Sequence, residues 1–214
     1  MGLFKKIATA ITGFSRGNVR ILVVGLDNSG KSTLIEHIKP SKASVFEATP
    51  TVGFQVEEFA KKNLNFTVFD MSGQSRYRTL WEHYFCDVHA IIFVVDSTDR
   101  IRMCVARDEL EGVIKHNEVR SSGLPLLVYA NKGDLPGAMS AQECADELGL
   151  GGLDNDRNPW HIVRSNALVG SGIEEGVNWL VQTLRPRATR RESGTSNERR
   201  RSSEKSSSRM GSLK

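Results

Sequence analysis

Gly25-Leu26-Asp27-Asn28-Ser29-Gly30-Lys31-Ser32 is the stretch on which the fold turns. It fits G-x-x-x-x-G-K-S/T, a pattern whose meaning depends on lying between a strand and a helix. Both neighbours are present. Upstream, Arg20 opens a strand pattern whose continuous apolar run, Ile21-Leu22-Val23-Val24, suits a central parallel strand buried on both faces. Downstream, a helical stretch begins and ends before Pro40. In that setting the glycines let the backbone turn tightly. Asp27, Asn28, Ser29 and Gly30 aim N–H groups at phosphate oxygens, and the helix N-terminus carrying Lys31, Ser32 and Thr33 adds partial positive charge. Lys31 supplies a full charge at the β and γ phosphates, where charge develops during phosphoryl transfer, and the Ser32 hydroxyl is placed to ligate Mg²⁺.

Farther along, Phe54 to Phe59 and Leu64 to Asp70 read as two strands around a turn at Lys61, Lys62 and Asn63, a hairpin. Apolar runs at Ile91 to Asp96, Leu126 to Ala130 and His161 to Val163 then alternate with helical stretches near Met103 to His116, Ser140 to Leu148 and Ile173 to Leu184. This alternation predicts an α/β domain: a mostly parallel six-stranded sheet with helices on both faces and its ligands at the carboxyl ends of the strands.

Four further patterns fall at such ends. Asn131-Lys132-Gly133-Asp134 fits N-K-x-D. The Asp134 carboxylate can accept from both N1–H and the exocyclic amino group of guanine, a donor pair that adenine lacks, so the wrong base leaves it unpaired. Lys132 would lie along the base and Asn131 would brace the loop. Alone the pattern is more often a capping turn than a base reader; its place after the fifth strand of a phosphate-loop protein reverses that. Asp70-Met71-Ser72-Gly73 fits D-x-x-G: Asp70 would hold Mg²⁺ through water, and the Gly73 N–H would meet the γ phosphate. Gln74 follows directly and would orient the attacking water, making Gln74 and Lys31 the catalytic pair; a plain surface glutamine is the alternative. Thr51, within Thr49-Pro50-Thr51-Val52-Gly53, would close on Mg²⁺ only while the γ phosphate is present, which makes its loop a switch. Ser165-Asn166-Ala167, after the last strand, would offer the Ala167 N–H to guanine O6, or is simply a turn.

Composition sets outer bounds. At 214 residues, 39% hydrophobic and 25% charged, the chain fits one globular domain. Cys86, Cys104 and Cys144 show no metal-ligand or disulfide spacing and read as free thiols. Arg185 to Lys214 carries ten Lys/Arg against three Glu, a net of +7, which leaves Met1 to Leu184 at −3. The basicity belongs to the tail, and no nucleic-acid partner is expected of the domain. From Pro186 onward almost no apolar residue remains to offset the entropy of ordering, so residues 186–214 are expected to be disordered. That tail would contact acidic surfaces, take phosphate, or stay solvated. At the other end, Leu3, Phe4, Ile7, Ala8, Ile11 and Phe14 recur at intervals of three and four, with Lys5 and Lys6 between them, an amphipathic helix within residues 1–17. It would lie on a membrane surface or pack permanently on the core. Gly2 raises N-myristoylation, but Lys6 stands where that pattern wants Ser or Thr, and lipidation stays open. The organisation expected is therefore an amphipathic helix at 1–17, one domain at 18–185 and a basic tail at 186–214.

Taken in order, these patterns resemble the Ras-type small GTPases and, among them, the Arf-like family. The resemblance is carried by the phosphate loop, by Pro50-Thr51-Val52-Gly53-Phe54 and by Leu80-Trp81-Glu82-His83-Tyr84-Phe85. Asp70-Met71-Ser72-Gly73-Gln74-Ser75-Arg76-Tyr77-Arg78 and Trp160-His161-Ile162 are similar to the ciliary branch that recruits the BBSome coat complex. The resemblance implies a P-loop small GTPase fold, GTP/GDP and Mg²⁺ as cofactors, and slow intrinsic hydrolysis that calls for an activating protein. It implies an exchange factor, a BBSome-like coat or other GTP-dependent effector, and a monomer when free. It also implies that the N-terminal helix meets membrane in the GTP form, with the protein cytoplasmic and peripheral to membrane at the cilium, flagellum or its base. Phe54, Phe69 and Tyr84 match the aromatic cluster through which such proteins meet effectors, or are core residues; Trp81 stands open between the two. Arg76 and Arg78 read as partner contacts, and no motif assures an arginine finger in cis. The rivals are a nucleotide-binding adaptor without meaningful hydrolysis, which Gln74 opposes, a phosphate-loop kinase, which the Asn131 to Asp134 reader opposes, and, within the resemblance, an Arf-like switch in general vesicle trafficking.

Overall fold

The computed structural model describes residues 17–40, 49–62 and 64–184. The N-terminal helix expected within 1–17, Asn63 of the expected hairpin turn and the tail at 186–214 lie outside the described residues, apart from Gly17.

Six strands form one sheet: β1 (Asn18–Val24), β2 (Phe54–Lys61), β3 (Leu64–Met71), β4 (Ala90–Asp96), β5 (Leu126–Asn131) and β6 (Trp160–Arg164). Their order is β2-β3-β1-β4-β5-β6. All neighbours run parallel except β2, which pairs antiparallel with β3 from Phe54 opposite Met71 to Lys61 opposite Leu64, the hairpin expected. The helices are α1 (Lys31–Ile38), α2 (Met103–Lys115), α3 (Asn117–Ser122), α4 (Ala141–Glu147) and α5 (residues 173–184).

The two faces of the sheet follow from the period of two in each strand. Leu22, Val24, Ile91, Phe93, Leu126 and Val128 point to one side, where Met103, Ala106, Leu110 and Val113 of α2 and Cys144, Ala145 and Leu148 at α4 cover them. Ile21, Val23, Ile92, Val94, Leu127 and Tyr129 point to the other, under Leu34, Ile35 and Ile38 of α1 and Ile173, Val177, Leu180 and Val181 of α5. Strands covered on both faces need apolar residues at every position, which is why their sequences do not alternate. Tyr129 is fully buried, and its hydroxyl donates to the Ile173 carbonyl at 2.8 Å, so the ring costs no unpaired polar group.

Register aligns the strand ends. Val23 lies opposite Asp70, Asp96 opposite Asn131, and Ala130 opposite Arg164. The loops after β1, β3, β5 and β6 therefore emerge side by side. The sequence pattern does not announce three elements: a 3-10 segment at Ser75–Tyr84, a 3-10 turn at Leu150–Gly152, and the short α3, which His116 caps through its side chain and Gly123 ends in the left-handed region. Helix ends were otherwise legible. Ser140 and Glu143 form a reciprocal capping box at α4.

Candidate nucleotide site and its relatives

The phosphate loop runs from the end of β1 into α1. Gly30, at φ 94°, takes a left-handed conformation that an L side chain adopts only with strain, and a Cβ there would strike Asn131 Nδ2. Asn28 is also left-handed, at φ 60°, which asparagine tolerates. Lys31 is buried, and its Nζ donates to the Leu26 carbonyl at 2.7 Å, which curls the side chain over the loop. Burial brings its amine down to about 8, against the opposing pull of Asp70 and Asp27. A phosphate in the loop would restore the full charge.

Three oxygens converge where α1 meets β3. The Ser32 hydroxyl donates to Asp70 Oδ2 at 2.5 Å and lies 3.0 Å from Thr51 Oγ1. Asp70 Oδ1 is buried without a partner, and burial pushes this carboxyl above its ordinary value despite the Ser32 hydrogen bond and the Lys31 charge. Two hydroxyls and an unsatisfied carboxylate oxygen fit a small, hard dication that keeps several waters. Among the described residues no cluster of three or more His, Cys, Asp or Glu offers a rival metal site.

Gly73 packs so closely on the phosphate loop that an added Cβ would meet Gly25 O at 2.5 Å and also strike Leu26 C and Asp27 N. The Ser72 N–H donates to the Gly53 carbonyl at 2.9 Å, tying the loop of Gly73 to the loop of Thr51. Gln74 follows, with Oε1 accepting from Arg76 Nε at 3.1 Å and Nη2 at 2.9 Å. Arg78 departs from its expected role as a partner contact. Its Nε donates to Gly73 O and its Nη1 to Glu109 Oε1, both at 2.8 Å, and its Nη2 lies 3.7 Å from Asp27 Oδ1. One guanidinium thus joins the Gly73 loop, α2 and the phosphate loop. Arg102, anchored on Asp99 at 2.6 Å, reaches the other oxygen of Asp27 at 3.4 Å.

On the base side, Asn131 braces three segments. Its Nδ2 donates to Ser29 O at 2.8 Å, and its Oδ1 accepts from the Ala167 N–H at 2.9 Å and the Ser165 hydroxyl at 3.3 Å. The Ala167 N–H, expected at guanine O6, is engaged by Asn131 here. Asn166 accepts from the N–H groups of Leu168 and Val169, so its side chain shapes its own turn. Lys132, left-handed at φ 60°, is pinned by Asp96 Oδ2 at 2.6 Å. Burial would raise Asp96, yet hydrogen bonds from Lys132 and Thr98 outweigh it and hold the carboxyl below its ordinary range. Asp134 stands exposed beside it. Thr33 follows Ser32 in the first turn of α1, and Ser29 is buried with its hydroxyl unpartnered.

The aromatic cluster does assemble. Tyr84 lies 5.4 Å from Phe54 and 4.9 Å from Phe69 between ring centroids, and Phe54 remains 44% exposed beside Val52 and Val56. Trp81 belongs to the core, at 2% exposure, with its indole N–H donating to Ser72 O at 3.1 Å.

This arrangement can be set beside known proteins. Residues 4–184 match the ADP-ribosylation factor family. The chain belongs to that family. It is an Arf-family small GTPase, and the sheet with its loops is that fold. ADP-ribosylation factor-like protein 6 of Danio rerio is 47% identical over 189 residues, spanning 88% of this chain and the whole of that protein. Its namesake in Caenorhabditis elegans is 41% identical over 180 residues, 84% of this chain and 93% of that one. A solved structure of the Arl6 BBS3 small GTPase from Trypanosoma brucei, with the nucleotide analogue GppNp bound, matches at a TM-score of 0.73 and 41% identity, covering 79% of this chain and 98% of that one. Guanine nucleotide is accordingly the ligand of this Arf-family site, and GTP hydrolysis is its reaction.

Proposed function

We propose that this Arf-family GTPase is a Mg²⁺-dependent switch whose GTP form binds membrane and recruits a BBSome-like coat for trafficking of ciliary membrane proteins. The observation that carries the switch is the approach of Thr51 to Ser32 and Asp70. Thr51 leads within three residues to Val52 and Phe54, which with Val56 form an exposed apolar surface backed by the half-buried rings of Phe69 and Tyr84. A grip on Thr51 that depends on the third phosphate therefore decides whether that surface is held in one shape, and contiguous exposed apolar residues of this kind suit a protein partner.

Ser32 and Thr51, with Asp70 through water, would hold a Mg²⁺, which would supply neutralisation of the phosphate charge. Lys31 offsets the charge that builds on the phosphoryl oxygens, and the Gly73 N–H fixes the γ phosphate. Gln74 orients the attacking water once released from Arg76. Holding Gln74 on Arg76 fits slow intrinsic turnover and an activating protein; an exchange factor would reopen the site.

The coat reading rests on the Arl6 and BBS3 names of the relatives and on the ciliary resemblance of residues 70–78. The membrane reading rests on the apolar face of residues 1–14 with Lys5 and Lys6. It makes the protein cytoplasmic, peripheral to membrane and concentrated at the cilium or flagellum base. Full-length protein loaded with a non-hydrolysable GTP analogue should float with anionic liposomes and retain coat subunits from a ciliated-cell extract, and GDP-loaded protein should do neither. Equal flotation and capture in both states would overturn the proposal.

A further inference from the structure

The N-K-x-D pattern assigns no task to its third residue, yet here that residue is gripped from both sides. The Gly133 N–H donates to Ser165 O at 3.0 Å. The Gly133 carbonyl accepts from Arg164 Nε at 2.9 Å and also from Arg164 Nη2. Two consecutive residues at the end of β6 thus hold both backbone groups of one residue in the base-reading loop.

The side chain of Arg164 takes the space that a side chain at position 133 would need. A Cβ there would lie 2.6 Å from Arg164 Cγ, 2.7 Å from Nε and 3.2 Å from Cδ, so the arginine stem lies across the glycine. Gly133 is buried although Arg164 itself is exposed. The glycine and the arginine are a matched pair.

Lys132, before Gly133, is fixed independently by Asp96. Asp134, after it, must present both carboxylate oxygens to two guanine donors at once, a geometry that tolerates displacement of only about 0.5 Å. We propose that Arg164 is a positioning residue for guanine recognition: it staples the Gly133 carbonyl to β6 and so sets where Asp134 meets the base. Its guanidinium is taken up by the Gly133 carbonyl, so it acts through the loop. A planar fork can put two donors on one carbonyl, which a lysine ammonium does less well.

The test uses full-length protein with Mg²⁺ and fluorescent GDP, IDP and ADP, reading dissociation rates. IDP lacks the exocyclic amino group, so the ratio of IDP to GDP dissociation rates reports on Asp134, and a general loosening of the fold would leave that ratio alone. Loss of the two-pronged grip on the Gly133 carbonyl, felt at the base only in part through Asp134, predicts that R164A speeds GDP release roughly fivefold to tenfold and compresses the IDP/GDP ratio, with R164K intermediate. G133A should mimic R164A, because its methyl group displaces the arginine, and should add little in the R164A background, where the space is free. An unchanged ratio in R164A, or equal costs of G133A in both backgrounds, overturns the assignment. Wild-type protein that failed to prefer GDP over ADP would instead defeat the reading of the base site itself, so the two failures are distinguishable.

Discussion

Replacing Gly73 by alanine puts a methyl group where there is only backbone. The new Cβ would lie 2.5 Å from Gly25 O and against Leu26 C and Asp27 N, none of which is the free end of a side chain. The loop of Gly73 must therefore withdraw from the phosphate loop, carrying its N–H away from the γ phosphate and loosening the Ser72 to Gly53 hydrogen bond that couples it to Thr51. Overpacking of this sort costs about 1–3 kcal/mol, and that cost falls on GDP-bound and GTP-bound protein alike wherever the loop stays close. The lost hydrogen bond to a charged phosphate is worth about 1.5–3 kcal/mol and exists only with GTP. The ratio of GTP to GDP affinity should thus fall roughly tenfold to a hundredfold. Competition of GDP and a non-hydrolysable GTP analogue against a fluorescent nucleotide measures it directly. An unchanged ratio in folded G73A protein would refute the link between Gly73 and the third phosphate.

Gln74→Leu should bind GTP normally and slow activator-stimulated hydrolysis roughly a hundredfold or more, read as single-turnover phosphate release; normal release would strip Gln74 of its role. Arg78→Ala breaks the bond to Gly73 O and the ion pair to Glu109, which at 31% exposure of the glutamate is partly screened. The cost should be about 2 kcal/mol, or roughly 4–8 °C of melting temperature in the GDP-bound protein, and a loss under 1 °C would show that Arg78 tethers nothing. Cys86 and Cys104 are exposed, whereas burial pushes the Cys144 thiol up to about 11. Because the thiolate is the nucleophile, iodoacetamide at pH 8 should label the first two in native protein and spare Cys144, as peptide mass spectrometry would report; rapid labelling of Cys144 would place it outside the core.

The parts of the site that the sequence announces are those whose chemistry is local. Gly25 to Ser32, Asp70 to Gly73 and Asn131 to Asp134 each pack donors, acceptors and turn-forming residues into a few positions after an apolar run, so spacing alone carries the meaning. The six strands were legible for the same reason. Arg78, Glu109 and Asp27 meet across 31 and 51 positions of chain, and no local pattern distinguishes a tethering arginine from one left for a partner. Arg164 and Gly133 are likewise joined only by the register of β5 and β6. The 3-10 segment at Ser75–Tyr84 buries only Trp81, so it leaves no helical period in the sequence. Trp81 itself was decided by the carbonyl of Ser72, a partner nine residues away that takes its indole N–H into the core. Gly123, left-handed after α3, and His116, which caps its start, are the local signals of that short helix.

Titration calorimetry of the purified full-length chain in Mg²⁺ with GDP and with ADP tests most directly whether Asp134 and the loops around it read guanine. Tight binding of GDP with no measurable heat from ADP is the expected result. Comparable affinities for the two nucleotides would contradict it.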